Sequence, residues 1–290
     1  MKPIGAMLNM DEVRRRVAEV RALQSDKDIM ISSILDLSNH FECAQGCVDG
    51  FILDGWTARE CVCQQQRRLN ARLQHAMIPE EFERATFAQY RTETSVQANM
   101  LKCMQRYLNQ FAELLPQQQN GFGFMAAYGE SRLRELKGAA RAQAKAQHNN
   151  FGLGKTHLQI AAAKELIRRG FAVFCISDVA FMDELSRARA YNDDGVAVSR
   201  LLESAIRSDV LVWDDIGKAK PSDYRLDMYY QIINERYKAK RPIIFSSNED
   251  SETLSERIGD AAASRLLGMA RGNTFTVEGK DFRLTGGERA

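Results

Sequence analysis

Apolar residues in the first 120 positions recur at helical spacing, whereas beyond residue 121 short, wholly apolar runs alternate with amphipathic stretches. Asp11 can cap a helix in which Val13, Val17, Val20 and Leu23 follow at spacings of four, three and three, so a helix is predicted within 11–38, with a second segment from Asp28 to Leu37. These segments are either packing helices or a partner-binding arm. A further helix is predicted from Gln64 to Leu73 and ends before Pro79. The spacing of Met100, Met104, Tyr107, Leu108 and Phe111 predicts another between Glu80 and Leu115, and Pro116-Gln-Gln-Gln-Asn-Gly121 reads as a linker. Strands are then predicted at Phe122–Tyr128, Phe171–Ser177, Asp209–Trp213 and Arg241–Ser247. Helices are predicted from Thr156 to Arg169, from Asp178, and from Asp223 to Lys240. Buried strands alternating with helices are the pattern of a parallel α/β sheet.

A length of 290 residues suits about two domains of the usual ~100–200 residues. The pattern divides the chain into an N-terminal adaptor (1–75), a connecting helical region (76–120) and an α/β domain (121–290). With 44% hydrophobic and 27% charged residues, the composition is that of a folded protein. No apolar run approaches the ~20 residues of a membrane helix, and the N-terminus lacks an apolar signal segment, so the chain reads as cytoplasmic without a membrane partner. The net charge of +2 predicts neither nucleic-acid nor membrane binding. Any DNA contact must come from local patches.

Four of the six cysteines, Cys43, Cys47, Cys61 and Cys63, lie together, while Cys103 and Cys175 stand apart. Two close pairs in a chain without a secretory signal point to a metal site before disulfides. The spacings are Cys-x₃-Cys and Cys-x-Cys, and four thiolates suit tetrahedral zinc. His40 can replace one ligand; iron–sulfur and simple reduced thiols are the other readings. A closed shell of four ligands would be structural.

Gly152-Leu-Gly-Lys-Thr156 opens a helix directly after a loop, where backbone N–H groups and the helix N-terminus can hold phosphate oxygens. The cradle expected for ATP spans Asn149, Asn150, Phe151, Gly152, Leu153, Gly154, Lys155, Thr156 and His157. Lys155 would reach the β- and γ-phosphates, and Thr156 would place its hydroxyl on Mg²⁺. Asn149 stands where the usual pattern has glycine, and asparagine is the next-best residue for a positive φ. The strand of this unit is Phe122–Tyr128, so an insertion of about 130–147 is predicted inside the loop. It carries Arg132, Arg134, Lys137, Arg141 and Lys145. It is either a solvated basic helix or a finger facing DNA or a partner.

Asp214 and Asp215 end an apolar strand about 60 residues later. Asp214 is the expected second Mg²⁺ partner and Asp215 the polariser of the attacking water. Asn248 ends the next strand and can meet the γ-phosphate or that water if its strand lies between the other two. Arg265, on a helix after Leu254–Ile258, is the candidate cation for a neighbouring subunit's γ-phosphate, with Arg257 in reserve.

Together Gly152-Leu-Gly-Lys-Thr-His-Leu158, Val212-Trp-Asp-Asp-Ile-Gly217, Tyr230-Gln-Ile-Ile-Asn-Glu-Arg-Tyr237 and Ser246-Ser-Asn248 resemble the DnaC/DnaI-type, IstB-like AAA+ ATPases over about 120–285. Cys47-Val-Asp-Gly-Phe-Ile52, Cys61-Val-Cys63 and Ile78-Pro-Glu-Glu-Phe82 resemble the metal-binding front end of bacterial and phage members, although the family usually has two residues between its first cysteines. The resemblance implies an AAA+ P-loop core with a parallel sheet and a reduced or absent lid, preceded by a small helical, cysteine-rich zinc domain. It implies ATP hydrolysis, an ATP-dependent homo-oligomer, single-stranded DNA and a hexameric replicative helicase as partners. Arg187, Arg189 and Tyr191 lie where this clade presents a DNA-contacting helix, and a solvent face is the other reading. The functions that follow are helicase loading in replication initiation, an IstB-like transposition helper, or a zinc-containing DNA-binding regulator with an inactive nucleotide site.

Overall fold

The computed structural model describes Cys47, residues 51–54, 57–190 and 195–279. The helices expected within 11–38, and Cys43, His40 and Tyr191, lie outside the described residues. The chain divides into two compact units, 1–64 and 65–290, and the expected connecting region 76–120 lies within the second.

In the first unit, strands β1 (Phe51–Asp54) and β2 (Thr57–Glu60) pair antiparallel, with Asp54 opposite Thr57. Only Gly55 and Trp56 separate them, and the Asp-Gly step is a hairpin signal that sequence reading passed over. Helix α1 (Val62–His75) follows and ends ahead of Pro79, as its spacing predicts.

The second unit is a five-stranded parallel sheet of order β4-β5-β6-β3-β7, formed by β3 (Phe122–Ala126), β4 (Val173–Ser177), β5 (Val210–Asp214), β6 (Ile243–Ser246) and β7 (Thr274–Val277). Side chains alternate between faces along each strand. Val173, Cys175, Val210, Val212, Ile244, Phe122 and Phe124 join one apolar cluster, with helices α2 (Ser95–Leu114) and α5 (Lys155–Arg168) packed on it. Phe174, Ile176, Leu211, Trp213, Ile243 and Phe245 join the other cluster. That face carries α6 (Asp178–Ala188), α7 (Val196–Arg207), α8 (Asp223–Lys238), α9 (Ser251–Ile258) and α10 (Asp260–Met269). Gly123 has to lack a side chain, because a Cβ there would stand 2.4 Å from the Phe245 ring.

Three expectations change. The helix expected from Glu80 begins at Ser95, where Thr94 and Gln97 form a reciprocal cap; residues 80–82 and 87–89 make only single tight turns. The stretch 116–121, which reads as a linker, is tied down. Asn120 is buried, its amide donates to the Leu115 and Lys240 carbonyls (3.2 and 2.7 Å), and its own carbonyl accepts from Tyr107 Oη at 2.7 Å. Strand β7 was not anticipated; it pairs parallel with β3 at the sheet edge, and its Thr-Phe-Thr-Val alternation is only four residues long.

The insertion between β3 and the phosphate loop is present as α3 (Glu130–Glu135) and α4 (Gly138–Gln147). Its root is anchored: Gly129 N donates to Asp250 Oδ2 at 2.9 Å, Ser131 N to Glu249 Oε2 at 3.0 Å, and Arg132 pairs with Asp250 and Glu252. Lys137, Arg141 and Lys145 are exposed. Residues after Asn248 pack into the sheet's two apolar clusters, so no separate lid is built from the described residues. No helix among the described residues is long and apolar enough to cross a membrane.

Candidate functional site

The parallel topology brings the carboxyl ends of β3, β5 and β6 together, with β6 between the other two. In open α/β sheets this is the edge at which ligands bind. Asn248 therefore comes to lie between the phosphate loop and the Asp214-Asp215 pair. A cavity of about 320 Å³ opens there, lined by Glu81, Phe82, residues 150–157, Asp215 and Asn248.

Gly152 (φ +66°) and Gly154 (φ +83°) supply the left-handed turns of the loop, and Gly154 caps α5. A Cβ on Gly154 would stand 2.6 Å from the Tyr90 ring. The Tyr90 hydroxyl donates to the Leu153 carbonyl at 2.8 Å, and His157 Nε2 lies 2.8 Å from the Thr86 carbonyl. The segment before α2 thus braces the loop from outside, a contribution sequence reading missed because it spans more than 60 positions.

Asn149 does not act as a glycine substitute. The described non-glycine residues at positive φ are Met77, Asp215 and Lys240. Instead its side chain folds over the loop: Nδ2 donates to the carbonyls of Phe151 (3.2 Å) and Gly279 (2.6 Å), while the main-chain carbonyl of Asn149 accepts from Gly279 N at 2.8 Å. The bond to Phe151, two residues on, is the local kind at which asparagine excels.

Lys155 is 7% exposed, and its ammonium donates to the Asn150 carbonyl at 3.1 Å and Asn248 Oδ1 at 2.5 Å. Burial draws its pKa down to about 8 despite the nearby Asp215 and Asp214 charges. A buried cation held by neutral acceptors at the mouth of a cavity fits a phosphate, which would return the missing counter-charge. Asn248 Nδ2 donates onward to Asp215 Oδ1 at 3.1 Å, so one amide connects the cation to the acid expected to polarise water. Asp215 sits at φ +53°, a conformation costing about 1–3 kcal/mol, and its N–H donates to Ser246 Oγ at 2.9 Å.

Thr156 Oγ1 donates to both Asp214 oxygens, at 3.1 and 3.0 Å. Ser246 Oγ donates to Asp214 Oδ1 at 2.7 Å. Burial, then the Asp215 charge, pushes the Asp214 carboxyl above its ordinary range. A divalent cation would remove that penalty, and hydroxyl plus carboxylate is the hard oxygen donor set Mg²⁺ takes. Gln159, fully buried, completes the set of partners around Asp214. With its amide oriented to satisfy its neighbours, it donates to Asp214 Oδ1 at 2.8 Å and accepts from Ser246 N at 2.9 Å. Ser246 appears in the sequence only as part of the Ser246-Ser-Asn248 motif, with no role of its own, and Gln159 is not singled out; the signal for Gln159 is a polar residue in an otherwise apolar run, one turn after Lys155.

Arg265 lies away from this cavity's lining. It donates to the Ala261 carbonyl at 2.8 Å, and its guanidinium stacks over Tyr230 and Tyr237 at 5.2 and 5.9 Å. Arg257 is occupied by the loop after β5, donating to the carbonyls of Gly217, Lys218 and Ala219 at 2.7–3.1 Å. Arg187 pairs with Glu184 at 2.9 Å, and Arg189 lies 4.8 Å over the Tyr224 ring.

In the first unit, the sulfurs of Cys47, Cys61 and Cys63 all lie within 4.8 Å of one another, and Cys61 and Cys63 are buried. The β1–β2 hairpin returns the chain so that Cys47 and Cys63 sulfurs come to 3.2 Å. Three convergent thiols fit a soft-to-borderline cation such as zinc.

The chain is 25% identical over 239 residues to the phage-like element PBSX protein XkdC of Bacillus subtilis strain 168, covering 80% of this chain and 78% of that protein. It is 30% identical over 138 residues to the replicative helicase loader DnaC of Escherichia coli strain K12, covering 47% of this chain and 56% of that protein. A crystal structure of the DnaC helicase loader superposes with a TM-score of 0.52 at 20% identity, over 69% of this chain and all of that one, a likeness of fold. Residues 130–285, from the first residue of the insertion onward, match the family model for the IstB-like ATP binding protein; with more than half its length inside that match, the chain belongs to this family.

Proposed function

We propose that the chain is an ATPase that loads a hexameric replicative helicase onto single-stranded DNA. The observation that carries the catalytic half is the continuous set Lys155, Asn248, Asp215 beside Thr156 and Asp214. Lys155 binds the β- and γ-phosphates; Asn248 orients Asp215; Asp215 accepts a hydrogen bond from the attacking water and aligns it for in-line transfer. Thr156 and Asp214 hold Mg²⁺, which when bound neutralises charge on the phosphates. Intact chemistry at all five positions weighs against a regulator with an inactive nucleotide site. Arg265 serves a neighbouring subunit's γ-phosphate in an ATP-dependent homo-oligomer, a role consistent with its position on α10 outside its own chain's cavity and one for which it would exchange its contacts with Ala261, Tyr230 and Tyr237.

The cysteine unit is the helicase-binding adaptor, with Cys43 or His40 as the fourth zinc ligand. Chain purified without added metal is expected to carry about one zinc equivalent; below about a quarter, the zinc assignment fails. Capture of a replicative helicase tests the pathway. Wild type and Lys155→Met are expected to retain it, and Cys61→Ser/Cys63→Ser to release it. Equal capture by the cysteine variant would remove the adaptor role. Capture of a transposase in place of the helicase would favour the transposition-helper reading.

A further inference from the structure

The loop leaving β5 is fixed from several directions. Ile216 N donates to the Ser246 carbonyl at 2.8 Å, and Ser247 Oγ donates to the Ile216 carbonyl at 2.8 Å. Gly217 stands at φ +85°, and Arg257 grips the next three carbonyls. On the other side the fully buried Asp178 carboxylate accepts from Ala219 N at 2.8 Å, from Trp213 Nε1 at 2.8 Å and from the Tyr229 hydroxyl at 2.7 Å. So much order around four residues demands a reason, and the phosphate-loop and metal-side residues of the nucleotide site do not supply one. What this loop presents is a single long cation, Lys218.

The Lys218 ammonium lies 5.5 Å from the centroid of the Phe151 ring, in the middle of the phosphate-binding loop. It also donates to Glu130 Oε2 at 3.1 Å. Glu130 is the first residue of the insertion helix α3, and its own N–H donates to the Asn248 carbonyl at 2.8 Å. Arg134, one turn on, holds the other Glu130 oxygen at 2.6 Å. Lys218 therefore stands where three things meet: the phosphate loop, the strand-end asparagine and the root of the insertion. Its side chain is 32% exposed and that of Glu130 is 15% exposed, so the ion pair is sheltered yet able to open. Lys218 also acts on the buried Lys155 by charge repulsion, which places the two ammonium groups within electrostatic reach of each other. Two cations so disposed are both satisfied by an anion entering between them, and a terminal phosphate carries more charge than one carboxylate.

We propose that Lys218 is a second phosphate-binding cation, latched by Glu130, that transfers to the γ-phosphate of bound ATP and thereby loosens the insertion 130–147. This rests on the ATP-binding reading of the cavity and adds to it a distinction between ATP and ADP, because only ATP carries the phosphate that competes with Glu130. Arg134 keeps Glu130 charged and oriented when Lys218 leaves, so the latch can close again after hydrolysis.

The test measures affinities for ADP and for the non-hydrolysable analogue adenylyl-imidodiphosphate, each with Mg²⁺, by calorimetry on the full chain. Lys218→Met is expected to weaken the analogue about 5- to 20-fold while changing ADP less than about 2-fold. Lys218→Arg should restore most of the loss, and Glu130→Gln should tighten the analogue several-fold by removing the competitor. Hydrogen exchange over 131–147 should rise when the analogue binds wild type and stay flat in Lys218→Met. Unchanged affinity for both nucleotides in Lys218→Met, or equal loss of both, overturns the proposal while leaving ATP binding intact. Wild type that binds neither nucleotide overturns the ATP-binding reading itself.

Discussion

Lys155→Met is expected to abolish the thermal stabilisation by MgATP and to lower turnover at least about 100-fold, while leaving the chain without ligand no less stable than wild type. The first half follows from geometry. Lys155 is the buried ammonium at the cavity mouth, and its partners there, the Asn150 carbonyl and Asn248 Oδ1, are acceptors that can bind it but cannot bind phosphate in its place. The second half follows from desolvation. A pKa drawn down to about 8 means that the folded chain disfavours the charged form, by roughly 1.4 kcal/mol per unit. Methionine keeps most of the aliphatic stem and gives up two hydrogen bonds, so a net gain of about 1–2 kcal/mol is expected near neutral pH. The sign of the pH effect is fixed: the folding cost of the charged lysine is complete below about pH 8 and disappears as pH rises towards the ordinary lysine value, where unfolded chains also lose the proton. Melting curves of both proteins in chelator, at pH 7 and pH 9.5, should show the variant's advantage shrinking. A large loss of stability at pH 7 would contradict the argument, as would a persisting ATP shift.

What the sequence shows of this site depends on how local each cause is. The Gly-Leu-Gly-Lys-Thr turn, the strand ending in Asp214-Asp215 and the strand leading to Asn248 are written in consecutive residues, and they are where the pattern locates them. The insertion is legible for the same reason, since residues 140–148 are helix formers in a place that calls for a buried strand. Asn149 misled because two properties of asparagine compete, tolerance of positive φ and side-chain bonding to nearby backbone, and the partner that decides between them is Gly279, 130 positions away. The roles of Tyr90 and Ser246 are invisible for that reason too, each coming from a residue on another element. The overlong helix from Glu80 is a different failure: Phe82, Phe87 and Tyr90 continue an apolar rhythm, yet Thr94-Ser-Val-Gln97 has the spacing of a reciprocal capping pair and marks the true start.

Arg236 has no such local signal; Asn234-Glu-Arg-Tyr237 looks like an ordinary exposed helical turn, and the structure buries the arginine completely. Its Nη1 donates to the carbonyls of Ala205 (2.7 Å), Ile206 (3.2 Å) and Ser208 (3.0 Å), and Nη2 to those of Pro242 (2.8 Å) and Asp209 (3.4 Å). These are the last carbonyls of α7 and the lead-ins to β5 and β6, a set of partial negative charges that a helix C-terminus concentrates. A planar fork with several donors can serve carbonyls on three segments at once; an ammonium cannot. Burial draws the guanidinium down to about 9, so its charge is retained at neutral pH against a real desolvation cost. Arg236→Ala is accordingly expected to destabilise by about 3–5 kcal/mol, a fall of roughly 10 °C or more in Tm for a unit of this size. Arg236→Met separates volume from hydrogen bonding: it fills the space, leaves the carbonyls dry and should recover less than half of the loss, whereas Arg236→Lys should recover more by meeting some of them. A Tm within 2 °C of wild type for Arg236→Ala would mean that water reaches these carbonyls, and the bracing role would be wrong. The consequence reaches the nucleotide site, because β5 ends in Asp214 and β6 leads to Asn248. Loosening their shared starting point is expected to weaken ATP binding in the folded fraction of Arg236→Lys, where the chain survives to be measured.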